Sequence, residues 1–334
     1  MKQALKRHSL RVFAAITLAA SSWGLAQAQG PAEFPQRPIK LLVGYSAGGA
    51  TDSISRLVAQ EMGAALGQSV VVENKPGANG NIATELIRRA APDGYTLLIN
   101  SLSHNVNPLL DPERVKYDPI RDFTPISRLV TGSQLMVVGP NSSFRHFSDL
   151  LQKARSAPEA LSYGSAGIGS AAHLATALLE QYTKTRMNHV PFKGSSPALT
   201  EVMADRVDFM FLPLPGVAEM AKAGQIRVLA TTSAKRLPDF PQVPTMAELG
   251  YADFGDYDQP LGILAPAGLP PAIAQKLDEA VTKALASPVV SARLTASGLV
   301  IGHQGPSDYS AWLAQDRARW AELIRNSNIR AQVQ

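Results

Sequence analysis

The sequence predicts an α/β protein of two lobes hinged across a cleft. Strand-like and helix-like periodicities alternate over residues 39–99, the alternation resumes over 135–230, and proline-rich stretches follow each series. A chain that leaves one sheet, builds a second and returns ties the two by a pair of crossings. A ligand then sits between them, at strand C-terminal ends.

Ahead of the first series, residues 1–28 have the layout of an export signal. Lys2, Lys6, Arg7 and Arg11 form a basic region, 12–20 an apolar run, and Ala26-Gln27-Ala28 an A-x-A cleavage site. Cleavage after Ala28 predicts a signal peptide over 1–28 and a periplasmic chain starting at Gln29. The signal holds four of the 32 Lys+Arg and none of the 27 Asp+Glu, leaving 28 against 27. A charge so near neutrality offers no basic field for nucleic acid. No later apolar run approaches the roughly 18 residues that would span a bilayer. The absence of cysteine removes disulfides, thiolate catalysis and cysteine-ligated metals, so the fold rests on its core.

The first series opens with a strand over 39–43. After Gly48-Gly49 the apolar positions Ile54, Leu57, Val58, Met62, Ala65 and Leu66 mark a helix ending at Gly67. A strand over 70–72, a Gly/Pro/Asn loop over 74–80, a helix over 82–89, the turn Pro92-Asp93-Gly94 and a strand over 96–99 complete it. Such alternation predicts a parallel sheet with right-handed crossovers. Pro108, Pro112, Pro119 and Pro125 then punctuate a passage that reads as irregular and as the way to the second domain. There, strands are expected at 135–138, 161–163, 187–190, 209–212 and 226–230, with helices at 171–182 and 197–203. Prolines at 238–244 mark the return, before a strand at 262–265 and helices at 271–286 and 308–324. The predicted domains are 29–128 with 250–334, and 129–249.

Three loops have the makeup of an anion site. Tyr45-Ser46-Ala47-Gly48-Gly49-Ala50-Thr51-Asp52 joins the first strand to its helix, where glycines allow close backbone approach and a helix N-terminus favours a carboxylate. An ordinary turn capped by Thr51 or Asp52 uses the same residues. Gly164-Ser165-Ala166-Gly167-Ile168-Gly169-Ser170 stands in the equivalent place in the second series. Gly167 to Ala172 also fits the dinucleotide pattern G-x-G-x-x-A, but the acidic residue expected ~20 positions on is missing. The third loop, around Phe192, Lys193 and Gly194, offers a cation or simply a solvated lysine. Ser103 and His104, after the third strand, are placed at the same cleft.

The rival reading is a secreted esterase, because Gly44-Tyr45-Ser46-Ala47-Gly48 is a literal G-x-S-x-G between strand and helix. Here Ser46 follows the first strand, whereas a hydrolase elbow follows several, and no upstream oxyanion segment precedes it. Only His303 lies late enough in the chain to suit the order Ser, Asp, His. No histidine pair has zinc-site spacing, so no metal and no cofactor are expected.

In order along the chain stand Gly48-Gly49-Ala50-Thr51-Asp52, Val71-Val72-Glu73-Asn74-Lys75-Pro76-Gly77-Ala78-Asn79-Gly80, Ala91-Pro92-Asp93-Gly94-Tyr95-Thr96, Tyr163-Gly164-Ser165-Ala166-Gly167, Val190-Pro191-Phe192-Lys193-Gly194, Val243-Pro244-Thr245-Met246 and Ala265-Pro266-Ala267-Gly268-Leu269-Pro270. With these stretches the chain resembles the substrate receptors of tripartite tricarboxylate transporters, the Bug proteins, from Phe34 to about Trp320. The resemblance implies a type II periplasmic-binding-protein fold. It further implies a small organic acid or acidic amino acid as ligand, an integral-membrane transporter as partner, a monomer, and no enzymatic activity. It assigns ligand binding to the loops 45–52 and 165–170. Where the family commonly has an aromatic residue before its late Gly-aliphatic stretch, this chain has Asp256-Tyr257-Asp258.

Overall fold

A computed structural model describes residues 34–192, 194–214, 217–252, 254, 259–326 and 329. The chain divides into residues 1–36 and 37–334, and all described helices and strands belong to the second unit. The proposed signal peptide, Lys193 and Asp256, Tyr257 and Asp258 lie outside the described residues.

The first sheet is built around β1 (Ile39–Val43), with β2 (Val70–Asn74) and β3 (Thr96–Asn100) parallel on either side of it. Helix α1 (Ala50–Leu66) joins β1 to β2, and α2 (Asn81–Arg88) lies between β2 and β3. Three further strands extend the sheet beyond β3. They are β4 (Phe123–Gly132), β10 (Gln259–Pro266) and β11 (Leu299–Gln304), all in antiparallel pairings, in the order β11-β4-β10-β3-β1-β2. The sheet is therefore mixed, where alternation alone suggested a parallel one.

The second sheet repeats the plan. β6 (Ser162–Ser165) is the middle strand, with β7 (Asn188–Pro191) and β8 (Phe209–Pro213) parallel beside it. Helix α5 (Ala171–Thr183) leads from β6 to β7, and α6 (Ser195–Met203) leads from β7 to β8. β5 (Gln134–Val138) and β9 (Arg227–Thr231) complete the order β7-β6-β8-β5-β9. β5 is buried throughout. Its Leu135 and Val137 enter one core with Met210 and Leu212, and its Met136 and Val138 enter the other with Phe209 and Phe211. A sheet covered on both faces needs such an unbroken apolar run.

The passage expected to be irregular is so over 111–122, which carries Pro112 and Pro119, but is structured on either side of that stretch. Residues 102–110 form α3 (Leu102–Leu110), with Pro108 inside it. Proline has no N–H for the carbonyl of His104, and the Tyr117 hydroxyl donates to that carbonyl instead, at 3.0 Å. Pro125 lies in β4 beyond the Arg128–Gly132 portion that β11 covers, so no ladder bond to β11 is forfeited. Because β4 stays in the first sheet to Gly132, the crossing between sheets falls at Ser133. Outside that passage three helices and a strand escaped the sequence reading: α4 (Phe147–Ser156), the short helix over 218–222, α9 (Pro288–Ala296) and β11, which carries His303.

The remaining helices are the short α7 (Ala218–Lys222), α8 (Pro271–Ala286) and α10 (Pro306–Asn326). The chain end is shared between cores. Tyr309 and Leu313 of α10 pack with Leu42 and Leu98 of the first sheet. Trp320 and Leu323, three turns on, belong to the buried cluster that holds Phe209 and Phe211 of the second.

Candidate functional site

Each middle strand releases the chain into a loop that starts a helix, and the two loops meet across one cleft of about 930 Å³. On the first side, Gly44 lets the chain leave β1 against the neighbouring loop. A Cβ there would stand 2.7 Å from the Cα of Gly80. Tyr45 then reaches over to the end of β3, its hydroxyl 2.7 Å from Ser101 Oγ and 2.8 Å from Ser103 Oγ. The two serines are themselves 3.0 Å apart, which closes a triangle of hydroxyls. Helix α1 starts at the cleft wall, and Ala50, Thr51 and Ile54 line it.

Asp52 points the other way. Its carboxylate accepts from Gly48 N (2.9 Å), Asn74 Nδ2 (2.8 Å) and Arg56 Nε (3.0 Å), and the residue is only 3% exposed. Burial by itself would raise its pKa, but the bonds from Arg56, Gly48 and Asn74 outweigh it and hold it at about 2. The charge is spent on shaping the loop.

The second loop is held by two stacked histidines, His173 and His189, with ring centroids 4.1 Å apart. His189 Nε2 lies 2.6 Å from Ser165 Oγ, which accepts from Gly167 N at 3.1 Å. Gly169 N donates to His173 Nδ1 at 3.0 Å, so that nitrogen carries no proton. Burial, with His189 alongside, pushes the pKa of His173 down to about 3, and burial takes His189 to about 4. Ser170 precedes α5 with its Oγ inaccessible and unpartnered, and the residue lines the cleft.

Between the lobes, Asn79 Nδ2 donates to Gly169 O (3.2 Å) and to Asn107 Oδ1 (3.0 Å). Gly169 adopts φ 73°, and a Cβ there would stand 2.6 Å from Leu110 Cδ1. The left-handed conformation favours glycine here, and a side chain would displace the tip of Leu110 opposite.

Of the residues singled out from sequence, the cleft lining brings together Tyr45, Ser46, Ala50, Thr51, Ser103, Ile168, Gly169, Ser170, Phe192 and Gly194. Asp52, His104 and Ser165 are buried away from the lining, and Gly49 is exposed outside it. His104 is 2% exposed, its Nε2 donates to Pro119 O (2.9 Å), and its ring packs with Tyr117 and Phe123. Ser165 is fully buried under its loop. Sequence reasoning missed Asn79, Ser101, Asn107, Gln134 and Gln259, which also line the cleft. A signal existed for Asn79, whose loop is rich in turn residues and whose φ is positive, at 50°. Ser46 stands in the cleft, while His303 Nε2 is engaged on the far side by Asp278 Oδ1 (2.8 Å) and Thr282 Oγ1 (3.1 Å).

A family model described as the tripartite tricarboxylate transporter family receptor matches residues 54–329. The periplasmic binding protein BugD is 31% identical, with a TM-score of 0.81 over 90% of this chain and 100% of its own. MatC from Rhodopseudomonas palustris, solved with bound malate, is 30% identical, with a TM-score of 0.79 over 87% of this chain and 100% of its own. A second R. palustris protein, solved with adipate, is 33% identical, with a TM-score of 0.82 over 89% of this chain and 99% of its own. The chain shares with them the periplasmic-binding-protein fold.

Proposed function

Because this chain belongs to the tripartite tricarboxylate transporter receptor family, we propose that it captures a small organic carboxylate in its cleft, outside the cytoplasm, and delivers it as a monomer to integral-membrane transporter subunits. The observation that carries this reading is the pairing of the two loops. Each follows the middle strand of a three-strand parallel unit and begins a helix, so each aims a helix N-terminus at the same space. The inaccessible, unpartnered Ser170 Oγ supplies a hydroxyl donor at that spot. The relatives solved with malate and adipate hold ligands of the same chemistry.

In this reading Tyr45, Ser46, Ala50, Thr51 and Ser103 meet the acid from the first lobe. Ile168, Gly169, Ser170, Phe192 and Gly194 meet it from the second. Binding is the whole activity, and Ser46 attacks nothing. The hydroxyl triangle positions Tyr45 and keeps the β1 loop open to the ligand.

A thermal-shift screen of the chain from Gln29 onward against C3–C6 organic acids tests the reading, because a ligand of the native state alone raises the melting temperature. For the acid found, Thr51→Val and Ser170→Ala should each weaken binding roughly tenfold to a hundredfold, the worth of about 1.5–3 kcal/mol for a bond to a charged oxygen. No shift with any acid would refute the carboxylate site.

A further inference from the structure

Among the described residues, eight buried side-chain polar atoms have no hydrogen-bond partner, and three of these belong to residues that line the cleft: Ser170 Oγ, Gln134 Oε1 and Gln259 Nε2. Ser170 belongs to the carboxylate loop. The two glutamines do not. Gln134 opens β5 immediately after the crossing at Ser133, and Gln259 opens β10 where the chain has returned to the first sheet. Gln259 pairs in register with Gly132, two residues before Gln134, so both amides stand where the hinge strands run under the cleft. Gln134 is 1% exposed.

We propose that Gln134 and Gln259 form a second recognition subsite, at the hinge end of the cleft. It takes an uncharged group able both to donate and to accept a hydrogen bond, a carboxamide or a hydroxyl, at the far end of the bound acid. The proposal rests on the reading of the cleft as a carboxylate site and adds what the other end of the ligand must be.

Two physical arguments select an uncharged group. First, an amide oxygen without a donor and an amide nitrogen without an acceptor are complemented together by one group that offers both. A carboxylate satisfies only the nitrogen and sets a negative oxygen against Gln134 Oε1. Second, the carboxylate loops owe their affinity for anions to helix N-termini, whereas both glutamines begin strands and have no such dipole behind them. Phe211, Leu261 and Leu299 line the same cleft, and Arg114, the one side-chain cation among its described lining residues, is exposed. A second full charge desolvated at the hinge would be poorly compensated. Polar groups left unpaired in a buried place lower stability, and a ligand that pairs them offsets that cost.

Matched acids that differ only at the far end provide the test. For chains of four, five and six carbons, calorimetric titration would compare the plain monocarboxylate, the ω-hydroxy acid, the ω-carboxamide acid and the dicarboxylate. At the best-fitting length, the hydroxy or carboxamide acid should bind at least tenfold tighter than both the monocarboxylate and the dicarboxylate. Gln134→Met and Gln259→Met should each erase that advantage while changing affinity for the monocarboxylate less than about twofold. Neither variant should lower the melting temperature of the unliganded protein, since each removes an unpaired buried amide. Should a variant fail to fold, the rank order in the unaltered protein still decides. A dicarboxylate that binds tightest, or a preference that survives both substitutions, overturns the subsite and leaves ordered water as the partner of the two amides. If no acid of the series binds, the carboxylate reading falls and this one falls with it.

Discussion

At the residue scale, the same side-chain chemistry serves ligand or scaffold according to where it points. Asp52, in the first turn of a helix at a Gly-rich loop, looks like a ligand contact in the sequence, yet its three donors turn it into the clasp of that loop. Asp52→Ala would strand Gly48 N–H and the Asn74 amide. It should cost about 1–3 kcal/mol in urea unfolding and weaken acid binding as well. Unchanged unfolding would remove Asp52 from this role. Because its folded pKa is about 2, below the ordinary carboxylate value, its contribution is present near neutrality and is lost only as pH falls from about 4 towards 2.

At the scale of elements, α3 shows a helix tolerating proline when another group answers the orphaned carbonyl. Tyr117, 3% exposed, holds His104 O and also lies 3.3 Å from Asn81 Oδ1. Tyr117→Phe should therefore destabilise the protein by about 1–3 kcal/mol. The loss should shrink in a Pro108→Ala background, where the restored N–H can reach the same carbonyl. A double-mutant cycle by chemical denaturation reads that coupling. Full cost in both backgrounds would show that the tyrosine acts otherwise. The reading of the Pro108 to Pro125 passage as irregular failed at Pro108 for this reason: proline spacing records local preference, and Tyr117 lies nine residues downstream of the proline it compensates.

At the scale of the whole molecule, three neutral histidines are built into the fold, His104 and His173 buried and His189 half-buried. Burial takes His104 to about 4 despite the Pro119 carbonyl that favours its charged form, and takes His173 and His189 to about 3 and 4. All three are depressed from an unfolded value near 6.5, so below that pH the unfolded chain binds more protons than the folded one and stability falls. Each histidine removes about 1.4 kcal/mol per pH unit until its folded pKa is reached, and the three together about 4 kcal/mol per unit. Melting temperature should therefore drop steeply from pH 6 to pH 5, and His104→Phe should reduce the slope by about a third. A melting temperature constant from pH 7 to pH 5 would contradict the neutral-histidine interior. Protonated His173 could no longer accept from Gly169 N, so acid should loosen the second loop before the sheet beneath it.

The sequence by itself determined the alternation of strands and helices, the two glycine loops at equivalent places in the two series, and the family stretches that run through both. These are local: a period of two or 3.6, a glycine before a helix and a turn dipeptide are each decided within a few residues. Only the tertiary structure decided what faces the cleft. It turned Asp52 and His104 inward, set Asn79 against Gly169 across 90 residues of chain, drew α10 from one core to the other, and placed Gln134 and Gln259, from opposite ends of the second lobe, in the lining of one cleft. Which neighbour satisfies a polar side chain, and which is left to a ligand, depends on contacts between distant segments. For Asn79 and Gly169, no short window of sequence contains both partners.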